Sequence, residues 1–306
     1  MTLNLLITQL LNGLQFGVLL FLMAAGLTLV FGIMSFINLA HGSLYMLGAF
    51  FAAVVVAKTG SFFLGVVVAA GGVFVIGALA DKLGLSILHK RDHLDQVLAT
   101  FGIVLFCNEL VRAIWGNAPL SLDTPAALSD PVEFFGINYP SYRLVIIGSG
   151  LAVALGLYLL IERTRIGMLI RAGASNRTMV AALGVNIAWL NLFIFALGAG
   201  LAGLAGALVA PISSVQSGMG DGVLILTLVV IVIGGIGSIR GAFLGALVVG
   251  VVDTLGRIYA PMLLRSVADP SVANAVGPAL ASVAVYLLMA VVLAFKPDGL
   301  FPVRNR

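Results

Sequence analysis

Leu27-Thr-Leu-Val-Phe-Gly-Ile-Met-Ser-Phe-Ile-Asn-Leu-Ala-His-Gly-Ser-Leu-Tyr-Met-Leu-Gly-Ala-Phe50 is the stretch on which the reading of this chain turns. Asn38, His41 and Ser43 interrupt residues that otherwise belong in lipid or in a packed helical core. Burying such groups without partners costs on the order of several kcal/mol. Something must satisfy them, and a transport pathway is one candidate.

The surroundings of this stretch decide the fold class. Of 306 residues, 61% are apolar and 9% charged, against about a quarter charged in soluble domains. Repeated apolar runs of about 20 residues match the thickness of a bilayer core. The chain reads as an all-α polytopic integral membrane protein with 8–9 transmembrane helices, one transmembrane domain over 1–306. Nine spans are expected near 5–31, 40–57, 62–80, 95–114, 143–161, 189–210, 222–238, 241–260 and 276–295. The shortest, 222–238, reads equally as a re-entrant or broken helix, which leaves eight.

Charge orients the spans. The loops 81–95 and 162–188, Arg240 and the C-terminal Lys296, Arg304 and Arg306 place eleven of the 16 Lys and Arg on one side, which the positive-inside rule makes cytoplasmic; Lys58, Arg112, Arg143, Arg257 and Arg265 fall on the opposite side or at its helix ends. The proline-punctuated segment 115–142 carries Asp123, Asp130 and Glu133 and no Lys or Arg, as an external loop would. The N-terminus is then outside and the C-terminus inside. No Lys or Arg precedes Lys58, so no cleaved signal peptide is expected. The single Cys107 excludes an intramolecular disulfide and reads as a small apolar filler. There is no basic cluster interleaved with aromatics for nucleic acid, and no metal-ligating cluster; His89 and His93 read as a wet loop.

Two features bear on mechanism. Segment 162–188 reads as soluble-looking, with a short amphipathic helix between an N-cap at Ser175 and a terminator at Gly184, fit for a headgroup surface or a partner's groove. Leu27-Thr-Leu-Val30 also recurs as Leu226-Thr-Leu-Val229, and at the same offset His41-Gly42 faces Arg240-Gly241, which suggests an internal repeat. No Gly-Lys pair occurs, so the chain has no P-loop and no ATPase site of its own; energy must come from another subunit or an ion gradient.

Three motif groups carry a resemblance. They are Asn12-Gly13-Leu14…Gly26-Leu-Thr-Leu-Val-Phe-Gly32…Ile37-Asn38-Leu39-Ala40-His41-Gly42…Met46-Leu47-Gly48-Ala49, Arg163-Thr-Arg-Ile-Gly167…Arg171-Ala172…Ala182-Leu-Gly-Val185, and Gly234-Gly-Ile-Gly-Ser-Ile-Arg-Gly241. Together they resemble the permease subunits of branched-chain amino acid ABC importers, in order from about residue 10 to 297. The resemblance implies an inner-membrane location, a second related permease subunit, two ATP-binding subunits and an external solute-binding protein. It implies no cofactor on this chain, since partners bind the ATP. It makes 162–188 the cytoplasmic coupling loop, with Arg163, Thr164, Gly167, Arg171, Ala172, Asn176 and Gly184 as its ATPase-coupling residues. After Gly167 the family commonly has Arg-Ala, whereas Met168-Leu169 stand here.

Intramembrane polar groups are the pathway or gate candidates: Thr28, Asn38, His41, Gly42, Thr100 and Glu109, with Ser43, Asn108, Asp253 and Thr254 nearby in the same class. Each has a plainer role too. Thr28 and Thr100 can bond back to their own helices, Glu109 can snorkel and pair with Arg112, and Asp253 can pair with Arg257. The topology sets residues 32–40 near the cytoplasmic turn, where they would shape the inner end of the pathway. The expected function is a permease for branched-chain or similar apolar amino acids. A urea- or amide-type ABC permease, and an ion-coupled secondary transporter or channel, are the alternatives.

Overall fold

The computed structural model describes residues 3–89, 91–134, 136–266 and 268–302. In chain order the helices are α1 (Leu3–Met34), α2 (His41–Thr59), α3 (Phe62–Ala80), the single turn α4 (Ser86–Leu88), α5 (His93–Trp115), α6 (Ser141–Arg163), α7 (Arg165–Ser175), α8 (Arg177–Ala182), α9 (Ile187–Val209), α10 (Met219–Gly234), α11 (Ile239–Leu264) and α12 (Pro270–Phe295). A π-helical turn, Asp81–Leu85, joins α3 to α4, so that Phe62–Leu88 runs on as one rod. Eight of these segments are long and apolar enough to cross a membrane, which makes the chain an all-α polytopic membrane protein. The 16-residue α10 is a shorter apolar helix.

The centre of the bundle is α1, buried around its whole circumference from Gly17 to Val30. A helix with no polar face belongs inside a larger assembly of helices. Lipid tails are as apolar as leucine, so close contact of small residues replaces a hydrophobic drive between spans. Thus α1 meets α9 at Gly26 and Gly198, where a Cβ on Gly26 would stand 2.6 Å from the Gly198 carbonyl oxygen. Antiparallel to α1 lies α11, with Gly17 against Ala246 and Leu247. The peripheral α5, α6 and α12 turn side chains such as Phe106, Leu155 and Phe295 outward, as lipid-facing or partner-facing helices do.

One end of the bundle collects the α1 C-terminus, the α6 C-terminus, α7 and the α10–α11 turn around a shared cleft. The C-terminal residues belong to this end as well: the amides of Leu300 and Phe301 donate to the Ile233 and Gly234 carbonyls. At the opposite end a two-stranded antiparallel hairpin, β1 (Pro131–Phe134) with β2 (Ile137–Pro140), caps the bundle. Tyr139 donates to Asn12 Oδ1 at 3.1 Å, and Arg143 donates to the same oxygen. Burial holds the Tyr139 hydroxyl above the usual tyrosine range, with the neighbouring Arg143 opposing the shift.

The repeated motif occupies matched places in the structure. One copy ends α1 at Met34 and restarts at His41; the other ends α10 at Gly234 and restarts at Ile239.

Candidate functional site

The break between α1 and α2 begins at Ser35, which has a left-handed φ of 51°. That conformation is uncommon outside glycine and ends the helix sharply. The chain does not then turn back at the surface. It climbs along α5, where Gln96 Oε1 accepts the Ile37 amide at 3.1 Å and Thr100 Oγ1 accepts the Leu39 amide at 3.2 Å. Higher still, Ser43 lies beside the Cys107 thiol. These three contacts follow one inward face of α5, on which Gln96 and Thr100 are buried. Gln96 is itself fixed, because its Nε2 donates to the carbonyls of Leu88 and Arg91.

As a result α2 starts inside the bundle. The His41 ring packs on Gly26, which lies roughly 12 Å up α1 from its Met34 end at 1.5 Å per residue. The sequence reading set residues 32–40 at the cytoplasmic turn. Ile33 and Ser35 do line the cleft at the Arg-rich end, but Asn38 and His41 are carried back toward mid-depth, because α5 supplies the backbone partners that a re-entering segment needs. Gly42 then meets the first turn of α10: a Cβ on Gly42 would lie 2.8 Å from the Gly220 carbonyl oxygen. Two helices therefore begin within the bundle and abut, backbone to backbone.

Around this junction the structure leaves polar atoms unanswered. Thr28 Oγ1, both amide atoms of Asn38 and His41 Nε2 are buried with no hydrogen-bond partner among the described residues; Ser43 Oγ faces only the weak thiol. Each such atom costs about 1–3 kcal/mol, which a packed core does not retain by accident. Thr28 also borders the cleft at the Arg-rich end.

Other candidates lie elsewhere. Glu109 stands on the exposed face of α5 and pairs with Arg112 at 2.6 Å, away from the junction. Asp253 accepts from Arg257 Nε at 2.7 Å, one turn along the same helix. Thr100 comes to the junction through its hydrogen bond to Leu39, while its own hydroxyl donates to the Gln96 carbonyl at 2.7 Å. His89 is not in a wet loop. Its imidazole is buried 3.0 Å from Asp81 Oδ1 and edge-on to Phe36, against the re-entering segment. Among the described residues no group of three metal-ligating side chains occurs.

The Arg-rich segment 162–188 holds two helices rather than one. Thr164 caps α7 by accepting the Gly167 amide at 3.0 Å, and Asn176, not Ser175, caps α8 by accepting the Met179 amide at 2.9 Å. Ala172 accepts the Asn176 amide at the turn between them, and Gly184, at φ 84°, ends α8. Gly167 lies buried against the Leu160 and Ile161 carbonyls at the end of α6. Arg163 is exposed where α6 ends. The inner face of the pair buries Gly167, Ile170, Gly173 and Val180, whereas Met168, Met179 and Leu183 face outward. Arg171 reaches back to the Ile161 carbonyl and to Glu162 Oε2, the latter at 3.5 Å. Gln96 and Glu162 escaped the sequence reading. Gln96 could have been found from its spacing with Thr100, one helical turn on, on the same apolar face.

Residues 9–293 match the profile of the family described as branched-chain amino acid transport system / permease component. The chain is 28% identical to the Pseudomonas aeruginosa high-affinity branched-chain amino acid transport system permease protein BraD, over 95% of this chain and 94% of that relative. It is 29% identical to the Escherichia coli permease protein LivH, covering 82% of this chain and 86% of LivH. A probable LivH of Methanocaldococcus jannaschii is 29% identical, over 79% of this chain and 78% of its own length. No solved structure matches the chain.

Proposed function

This chain belongs to the family of branched-chain amino acid transport system permease components, and from that premise we propose that it is the membrane-spanning subunit of an ATP-driven importer for branched-chain or similar apolar amino acids. The single observation that best supports a translocating role is the junction of α2 and α10 inside the bundle, with unanswered polar atoms on Asn38 and His41 at the start of α2 and on Thr28 of α1, which borders the inner cleft. A helix that starts at mid-depth, next to unanswered polar atoms, is how membrane transporters present groups to a solute. Asn38, His41 and Gly42 act as the gate, Thr28 lines the way to the inner cleft, and Thr100 holds the gate's backbone.

The ATPase sits outside the chain. One ATP-binding subunit docks on the outward Met168 of α7, Met179 of α8 and Leu183 just after it, a second ATP-binding subunit docks on the second permease subunit that completes the pathway, and an external binding protein delivers the solute. The Arg-rich end is then cytoplasmic and the hairpin end external, in the bacterial inner membrane. Nucleotide-driven movement of α7 shifts the pair between outward- and inward-open states. Glu109 and Asp253, the two acids the sequence offered for ion coupling, are each paired with an arginine.

The test is reconstitution. Purified chain alone should hydrolyse no ATP, and uptake of leucine into proteoliposomes should require both ATP-binding subunits with an intact ATPase site. Robust uptake by the isolated chain without ATP would refute the proposal.

A further inference from the structure

The cleft at the Arg-rich end has a volume of about 590 Å³ and separates α7 from the α10–α11 turn. Two ion pairs cross it, and both end on Glu162, the penultimate residue of α6. Arg171 of α7 stands 3.5 Å from Glu162 Oε2, and Arg240 of α11 stands 3.3 Å from Oε1. The Arg240 guanidinium also lies over the Tyr158 ring, one turn earlier on α6, at 5.7 Å from its centroid. A carboxylate with one oxygen for each of two arginines on two separate elements ties those elements together, by a hydrogen bond to Arg240 and an ion pair with Arg171.

What lies behind Arg240 gives this tie a use. Ser238 caps α11 by accepting the Gly241 amide at 3.1 Å, and Gly234 and Gly241 meet backbone to backbone. A Cβ on Gly245 would stand 2.9 Å from the Val230 carbonyl oxygen, so α10 and α11 are in direct contact over one further turn. Such close packing makes the α10–α11 hairpin move as a unit. Its far end is Gly220, which rests on Gly42 at the start of α2. A displacement of α7 that pulls on Glu162 therefore reaches the α2–α10 junction through Arg240 and one stiff helix.

We propose that Glu162 is a positioning residue for transport: it links the coupling helix α7 to the α10–α11 hairpin and so passes ATPase-driven motion to the gate at Gly42 and Gly220. The inference rests on the ABC-permease reading given above. The pairs are partly exposed, so each alone contributes little to stability. Their role is to bias one arrangement over another, and a coupling of this kind is worth about fivefold or more in an equilibrium.

The experiment measures leucine taken up per ATP hydrolysed in proteoliposomes holding the complete complex. Glu162→Gln keeps the shape and removes the charge; the ratio should fall about fivefold. Glu162→Arg combined with Arg171→Glu and Arg240→Glu inverts both pairs and should recover a ratio above that of Glu162→Gln. A wild-type ratio in Glu162→Gln overturns the proposal. So does a loss of complex yield in which uptake and hydrolysis fall in proportion, since that marks a merely structural residue. An inverted triple variant no better than Glu162→Gln also overturns it. ATP-independent uptake by the wild-type complex would instead sink the underlying functional reading, so the two failures are distinct.

Discussion

Thr100→Val is the sharpest probe of the re-entering segment. Valine matches threonine in shape, so the packing of α5 against residues 37–41 is preserved, and what disappears is the hydroxyl that accepts the Leu39 amide at 3.2 Å. That hydroxyl's own donor bond goes to the Gln96 carbonyl within the same helix, a local back-bond whose loss costs little. The net effect is one buried amide left without its partner, worth about 1–3 kcal/mol. The same amount shifts the balance between a docked and an undocked break by roughly 5- to 150-fold. Uptake by the complete complex in proteoliposomes should drop well below wild type, while the yield of complex and its basal ATP hydrolysis stay closer to normal. Thr100→Ser, which keeps the hydroxyl, should recover most of the loss. Equal uptake in the valine and serine variants would show that α5 does not hold the break, and the account of why α2 starts at mid-depth would fail with it.

Two further outcomes are expected. Gly42→Ala places a methyl group 2.8 Å from the Gly220 carbonyl oxygen, a backbone atom that cannot move without shifting α10, so about 1–3 kcal/mol of overpacking falls on the junction; vectorial uptake should fall, and solute leak through complexes without ATP is the readout that would expose a wedged gate. Asn38→Leu removes both unanswered amide atoms, which should leave assembly intact or improved in thermal melts while impairing transport; normal uptake would remove Asn38 from the gate.

Much of the fold was legible because lipid imposes a simple rule: long apolar runs become helices, and basic residues mark one end. The expected span 40–57 is α2 at His41–Thr59, and 143–161 lies within α6 at Ser141–Arg163. The re-entry of Asn38 and His41 was not legible, since it depends on Gln96 and Thr100, which are 59 and 61 positions from the amides they receive. Local sequence carries no trace of such a pairing. The capping of α8 slipped by one residue because Ser175 and Asn176 are both good caps, and only the geometry chooses between them. His89 was misplaced for a different reason. Its loop is polar in composition, yet the imidazole at the end of the Phe62–Leu88 rod is buried against Asp81 and Phe36.

The two copies of the repeated motif explain why one junction is stiff and the other polar. In the second copy the turn between α10 and α11 uses Gly235 and Gly237, at φ 104° and 81°. Glycine enters that region without the steric penalty that a Cβ brings, so the chain reverses in a few residues and Gly234 settles directly on Gly241. At the matching places the first copy has Phe36 and Asn38. Neither residue has a positive φ, and Ser35 alone adopts the left-handed region. A tight reversal is therefore closed to this copy, and the chain must take a longer path. Phe36 anchors between Phe195 and His89, and the segment climbs α5 until α2 can begin against Gly26 and Gly220. The same helix–turn–helix plan thus yields a rigid hairpin able to carry motion and, two residue substitutions away in its turn, a polar break on which that motion can act.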